Sequence, residues 1–324
     1  MRKSFLALVA VAASLVTTPA MAQPAAFPAR PVTLVVPVAP GGILDTVARM
    51  LAPELGAQLG QPIVVDNKAG ASGNIGATFV ARSKPDGYTL LVGYSMFHVG
   101  NPAMFRDLAW DPLRDFASVA MVAVSPHVVA VHPSVPARTL QELVDLARAS
   151  PGKLNYASPG SGSVPHVGME LFKQQAGIDI VHVPYKGAGP MMQDVVAGVV
   201  QVTVATPASL LGFVQSGRVR ALAVAAKERH PLLPDVPTTA EAGYPNFQLE
   251  AWIALFAPAS TPAEVIDRLT RAVQESLRTG AVIERARASG MSIRFMPPAQ
   301  LDATVRSDLA YWSKVIRDAN IKAD

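Results

Sequence analysis

The chain has 324 residues, a formal net charge of +4, 50% apolar residues and no cysteine. The missing cysteine excludes disulfides, thiolate metal sites and a lipidated N-terminal cysteine, while so small a charge with no Lys/Arg cluster argues against nucleic acid or lipid headgroups as partners. The length predicts two domains, each folding on its apolar core alone.

Arg2 and Lys3 precede an apolar run from Phe5 to Val16 that ends in Ala20-Met21-Ala22. This reads as a cleaved secretory signal over residues 1–22. The run is well short of the roughly 20 residues that a membrane helix needs, so the mature protein is expected in the periplasm, soluble. Cleavage removes two cationic side chains and leaves +2 over 302 residues.

From Val32 short β-branched runs alternate with amphipathic segments: a strand over 32–38, a helix from Ile43, strands over 62–67 and 88–93, and a helix over 74–82 between them. A second set follows Pro126, with VVAVHP, a helix over 139–149, KLNYASPG, a helix over 165–175, IVHVPYKG, a helix over 189–197, VQVTVAT and RALAVAA. Such alternation predicts parallel strands covered by helices. Pro231, Pro234, Pro237 and Pro245 hold a long connection extended, and EAWIALFAPAS, further helices and a C-terminal helix over 298–319 close the chain.

Two strand-to-helix junctions are rich in glycine, VVPVAPGGILD (35–45) and LNYASPGSGSVPHVGMELF (154–172). A helix start exposes unpaired N–H groups and about half a positive charge, and glycine lets a ligand approach them without meeting a Cβ. Both junctions are therefore candidate anion cradles. In the second, Ser158, Ser161 and Ser163 can donate to oxygen or cap the helix, and His166 stands in its first turn as a neutral imidazole. No nucleophile elbow, phosphate loop, dinucleotide fingerprint or zinc-protease motif is present, so no catalytic residue, metal site or cofactor is expected.

PGGILDTVAR, VVDNKAGASGNIGA, PDGYTLLVG, NYASPGSGS, HVPYKGAGP, GRVRALAV and PDVPTTAEAGYPNF, in this order, resemble the Bug receptors, the periplasmic solute receptors of tripartite tricarboxylate transporters. The resemblance covers the chain from about Phe27 to the C-terminus. It implies an α/β architecture, the type II periplasmic binding protein fold: two lobes with central sheets flanked by helices and a ligand cleft at the hinge. Lobe 1 is then residues 27–124 with 250–324, lobe 2 is 125–249, and the chain crosses near Ser125 and Glu250. The family closes on a small carboxylate and presents it to a membrane permease. Carried over, the resemblance places at the ligand the backbone of Gly41, Gly42, Ile43 and Leu44 with Asp45, and the wall Tyr94, Ser95, Met96, Phe97 and His98. Lobe 2 contributes Ser158, Gly160, Ser161, Gly162, Ser163, His166, Tyr185, Lys186 and Thr206. Asp45 is expected to cap backbone or orient water, since an acid would repel a carboxylate.

Ile43, Leu44, Tyr94, Met96 and Phe97 stand where the family tends to use small or polar residues. An apolar lining disfavours a second ionised carboxylate and favours a ring or alkyl chain, so a monocarboxylate with an apolar or aromatic body is expected over citrate. A hinge-closing receptor of this kind is expected to be a monomer. Two other readings stand beside it: an exported α/β hydrolase or isomerase acting on a small acid, and the same fold presenting its ligand to a sensor kinase ectodomain.

Overall fold

The computed structural model describes residues 27–322, and the expected signal segment lies outside them. The first unit begins with β1 (Val32–Val36), α1 (Ile43–Leu59), β2 (Ile63–Asn67), α2 (Asn74–Ala81), β3 (Thr89–Tyr94), the short α3 (Asn101–Met104) and the long β4 (Phe116–Pro126). The second comprises β5 (Val128–Val131), α4 (Leu140–Ala149), β6 (Asn155–Ser158), α5 (Val164–Ala176), β7 (Val181–Pro184), α6 (Ala188–Val196), β8 (Val202–Ala205), α7 (Pro207–Gln215) and β9 (Arg220–Val224). The chain then returns as β10 (Glu250–Pro258), α8 (Ala263–Ser276), α9 (Gly280–Ala288), β11 (Ser292–Met296) and α10 (Pro298–Asp318).

Two mixed sheets result, ordered β11-β4-β10-β3-β1-β2 and β7-β6-β8-β5-β9. The strands beside each glycine-rich junction are parallel, β1 with β2 and β3, β6 with β7 and β8. The expectation of parallel strands throughout needs correction at the strands that carry the chain between sheets. β10 is antiparallel to both β3 and β4, and β5 is antiparallel to β8 and β9. A strand entering from the other unit arrives without a crossover helix, so nothing turns it parallel.

α1 amphipathically buries Leu44, Val47, Leu51 and Leu55 against Leu90, Val92 and Ile253 of the first sheet. At roughly 1.5–3 kcal/mol per buried aliphatic side chain, this face fixes the helix tip at the C-terminal end of β1. A second cluster packs Met191, Met192, Val195 and Leu210 of α6 and α7 on one face of the second sheet. A third is continuous across both units, joining Val35 and Leu91 to Phe172, Phe247, Trp312 and Ile316. The two lobes thus share one apolar spine beneath the strands that connect them.

Candidate functional site

α1 and α5 both begin at the carboxyl ends of parallel strands, the edge where open α/β sheets bind ligands. At α1 the glycines do not present their own amides as the sequence suggested. Gly41 N–H donates to Asp45 Oδ2 at 2.9 Å, and Gly42 N–H to the Ala39 carbonyl at 3.4 Å. The donors without a partner among the described residues are instead the backbone N–H groups of Ile43, Leu44 and Asp45, the first turn of a 17-residue helix. Gly41 is exposed, has φ +85°, and nothing lies within 4 Å of where its Cβ would stand. It supplies the left-handed turn that lets the loop double back onto Asp45.

Asp45 is 4% exposed and fully engaged. Arg49 Nε donates to both carboxylate oxygens at 3.0 Å and Asn67 Nδ2 donates to Oδ1 at 3.0 Å and to the Val38 carbonyl at 3.0 Å. Arg49 also donates to Asn67 Oδ1 at 3.2 Å. The hydrogen bond from Arg49, with those from Gly41 and Asn67, outweighs burial and lowers the carboxyl pKa to about 2. Asp45 therefore ties the 38–42 loop to helix and strand; Arg49 completes the knot from the i,i+4 position, a spacing visible in the PGGILDTVAR stretch although the resemblance does not place Arg49 among the site residues.

The next wall follows β3 as a π-helical turn over Met96–Gly100. Its side chains diverge. Tyr94 and Phe97 are half-buried and meet edge to face at 5.4 Å, and Phe97 lies against Gly73, where a Cβ would come within 2.8 Å of its ring. Met96 and His98, placed in the wall by sequence, are each 2% exposed and belong to the interior, as does Leu44 at 1%. His98 stacks on Phe256 at 4.1 Å and on Trp110 at 5.7 Å. Burial lowers its pKa to about 3 despite a hydrogen bond to the Pro112 backbone. Ser95 is also buried. Buried Asn101 anchors the facing turn, donating to the Ser72 carbonyl at 2.9 Å and to Asn74 Oδ1 at 2.8 Å.

In lobe 2, Ser163 caps α5: its Oγ accepts from His166 N–H at 3.4 Å and donates to the Gly160 carbonyl at 2.7 Å. Gly162 N–H donates to His166 Nδ1 at 2.9 Å, which fixes that nitrogen as an acceptor. The amides of Ser161 and Val164 have no partner among the described residues. Ser158 is fully buried; its Oγ accepts from Gly160 N–H and lies 2.7 Å from His182 Nε2. His182 in turn stacks on His166 at 3.8 Å. The 185–187 turn pairs with this loop, Tyr185 N–H donating to Ser158 O at 2.9 Å and Gly187 N–H to Pro159 O at 3.1 Å. The Tyr185 hydroxyl donates to Asp194 at 2.7 Å, and burial together with that carboxylate pushes its pKa up to about 12. Lys186 is exposed. Thr206 stands at the start of α7 with its hydroxyl 3.1 Å from Ser209 Oγ. The lobes touch beside this cradle, where Gly162 meets Met104 at the end of α3.

Residues 47–321 match the profile of the Tripartite tricarboxylate transporter family receptor, TctC. The chain belongs to this receptor family. Protein BugT of Bordetella pertussis is 36% identical over 319 residues, covering 97% of this chain and 98% of that one. An R. palustris protein solved with adipate superposes with TM-score 0.82 at 36% identity, covering 92% of this chain and 100% of that one. MatC from Rhodopseudomonas palustris, solved with bound malate, gives TM-score 0.77 at 37% identity over 90% of this chain and 100% of that one. The two-lobe α/β architecture is that of these tricarboxylate-transporter receptors. No helix among the described residues is long and apolar enough to cross a membrane.

Proposed function

We propose that this receptor works in the periplasm, captures a small carboxylate between its lobes and delivers it to the membrane permease of a tripartite tricarboxylate transporter. The observation that carries this reading is the pair of helix tips with unpartnered amides, Ile43–Asp45 on α1 and Ser161 with Val164 on α5, one from each lobe. Each tip contributes about 0.3–2 kcal/mol toward an anion, so both are needed for useful capture. Two relatives of this chain were solved with carboxylates, adipate and malate.

The lining favours an acid with an apolar body. Half-buried Tyr94, Phe97 and Ile43 remain available at the mouth, while Arg49 is committed to Asp45 rather than to a second carboxylate. The protein acts by binding rather than by turnover. Ser158, the cradle serine in contact with a histidine, is 0% exposed and cannot reach a substrate as a nucleophile.

A thermal-shift panel tests the reading with benzoate, adipate, malate and citrate. A ligand at one hundred times its Kd stabilises by about 2.7 kcal/mol, a rise of roughly 4–5 °C for a chain of this size. Benzoate and adipate are expected to give the larger rises. Stabilisation by citrate alone would end the apolar-body assignment, and no rise with any acid, or consumption of one, would end the receptor reading.

A further inference from the structure

We propose that Met104 is a latch between the lobes, a positioning residue that sets how long the receptor holds its solute. The proposal rests on the receptor reading above but is carried by its own contact. Gly162, in the lobe 2 cradle, has φ +75°, and a Cβ there would lie 2.5 Å from Met104 Sδ and 3.1 Å from its Cε. The lobe 1 thioether therefore rests on bare backbone of the solute-binding loop in an approach that only glycine permits. Gly162 N–H is already committed to His166 Nδ1, so the contact braces the loop instead of competing for solute.

Another contact between the lobes lies close to the connecting strands. Gly290, just before β11, approaches the start of α7, where a Cβ would be 3.0 Å from Ala208 N, and its carbonyl accepts from His230 Nε2 at 3.3 Å. Within lobe 2, Leu249, which directly precedes β10, presses on Gly168 and so marks where α5 meets the connecting strands. Gly168 lies four residues beyond Val164, about 6 Å of helix rise from the start of α5, and Gly162 precedes that start by two residues. Met104 thus bears on α5 at its cleft tip, away from the fulcrum. Beside Met104 a groove of about 490 Å³, lined by Phe105, Arg106, Ile316 and Ile321, offers its side chain a second seat within lobe 1. Methionine, unbranched and with three rotatable bonds, can exchange between such seats with little strain. A latch engaged on Gly162 adds stability to the closed arrangement alone, so its loss shifts the population toward open without altering the groups that touch solute.

The test compares Met104→Ala and Met104→Leu with the wild type by stopped-flow binding of adipate, thermal unfolding and small-angle scattering. For Met104→Ala we expect koff to rise about 5- to 10-fold, kon to stay within 2-fold and the ligand-free Tm to stay within 2 °C. Met104→Leu should restore koff to within 2-fold. An unchanged koff in Met104→Ala, or kon falling as much as koff rises, would overturn the latch. If no acid binds the wild type, the receptor reading fails on its own. Scattering of the ligand-free proteins then decides the latch: a larger radius of gyration for Met104→Ala supports it and identical curves overturn it.

Discussion

Asp45 shows how one carboxylate can govern an anion site without touching the anion. Its three donors, Gly41 N–H, Asn67 Nδ2 and an Arg49 Nε shared between both oxygens, hold the glycine loop in place and leave the next three amides of α1 without partners. Because its folded pKa is depressed to about 2 from 3.8, its contribution is complete above the unfolded value and is lost as pH falls through the folded one. A shift of this size corresponds to about 2 kcal/mol, trimmed because Arg49 is 55% exposed and screened by solvent. Asp45→Asn should therefore lower stability by about 1–2 kcal/mol at neutral pH, with the gap to wild type roughly halved by pH 3. Urea titrations at several pH values measure this, and a gap that widens on acidification would refute the assignment. The same variant should weaken solute capture, since an untied loop no longer orients the first turn of α1.

At the scale of elements, the junctions were legible because their signals are local: strand, glycine, helix start and the serine cap at Ser163 follow one another within a dozen residues. What the sequence hid is long-range or aperiodic. Asn67 holds Asp45 from 22 positions away, and β11 is a short stretch whose pairing with β4 leaves no local mark. The wall after β3 misled because a π-helical turn obeys neither the two-residue nor the 3.6-residue period. It sends Met96 and His98 inward and leaves Phe97 half-exposed. That turn is held in place from the facing loop, where Gly73 lies under Phe97, and Ala71 and Ser72 adopt φ of +47° and +52°. Asn101 secures that strained stretch with its two hydrogen bonds. Asn101→Ala should cost about 2–3 kcal/mol of stability and lower affinity together with Tm, which distinguishes it from a substitution at Met104. Differential scanning calorimetry beside a binding isotherm reads both, and intact affinity at reduced Tm would show that the loop does not shape the wall.

Across the whole molecule, alternating periods revealed two α/β units, while the crossings near Ser125 and Glu250 came from the family resemblance rather than from any periodic signal. The joining strands are uniformly apolar, so no pattern marks where β4 leaves one sheet at Pro126 and β5 enters the other at Val128. There His127 is 1% exposed; its N–H donates to the Leu249 carbonyl at 3.0 Å, with Nδ1 3.2 Å from the same oxygen, tying one crossing to the other. Burial lowers its pKa to about 4, and His98, beneath the cleft wall, titrates at about 3. Both values lie below the unfolded 6.5, so the unfolded chain binds protons that the folded chain refuses. The stability they contribute is present above pH 6.5 and is lost as pH falls through the folded values. Each ring then steepens the loss toward about 1.4 kcal/mol per pH unit, which sums to roughly 4 kcal/mol for the pair between pH 7.5 and pH 5. That is a large part of the 5–15 kcal/mol typical of a folded domain. Urea denaturation across this range should show a slope approaching two protons from this pair, to which buried His230, its pKa also lowered by burial, adds, and His127→Gln should reduce the slope by about one while lowering stability at pH 7.5. A His127→Gln slope equal to that of the wild type would mean that the hinge histidine stays solvated, and that the crossings are looser than their hydrogen bonds indicate.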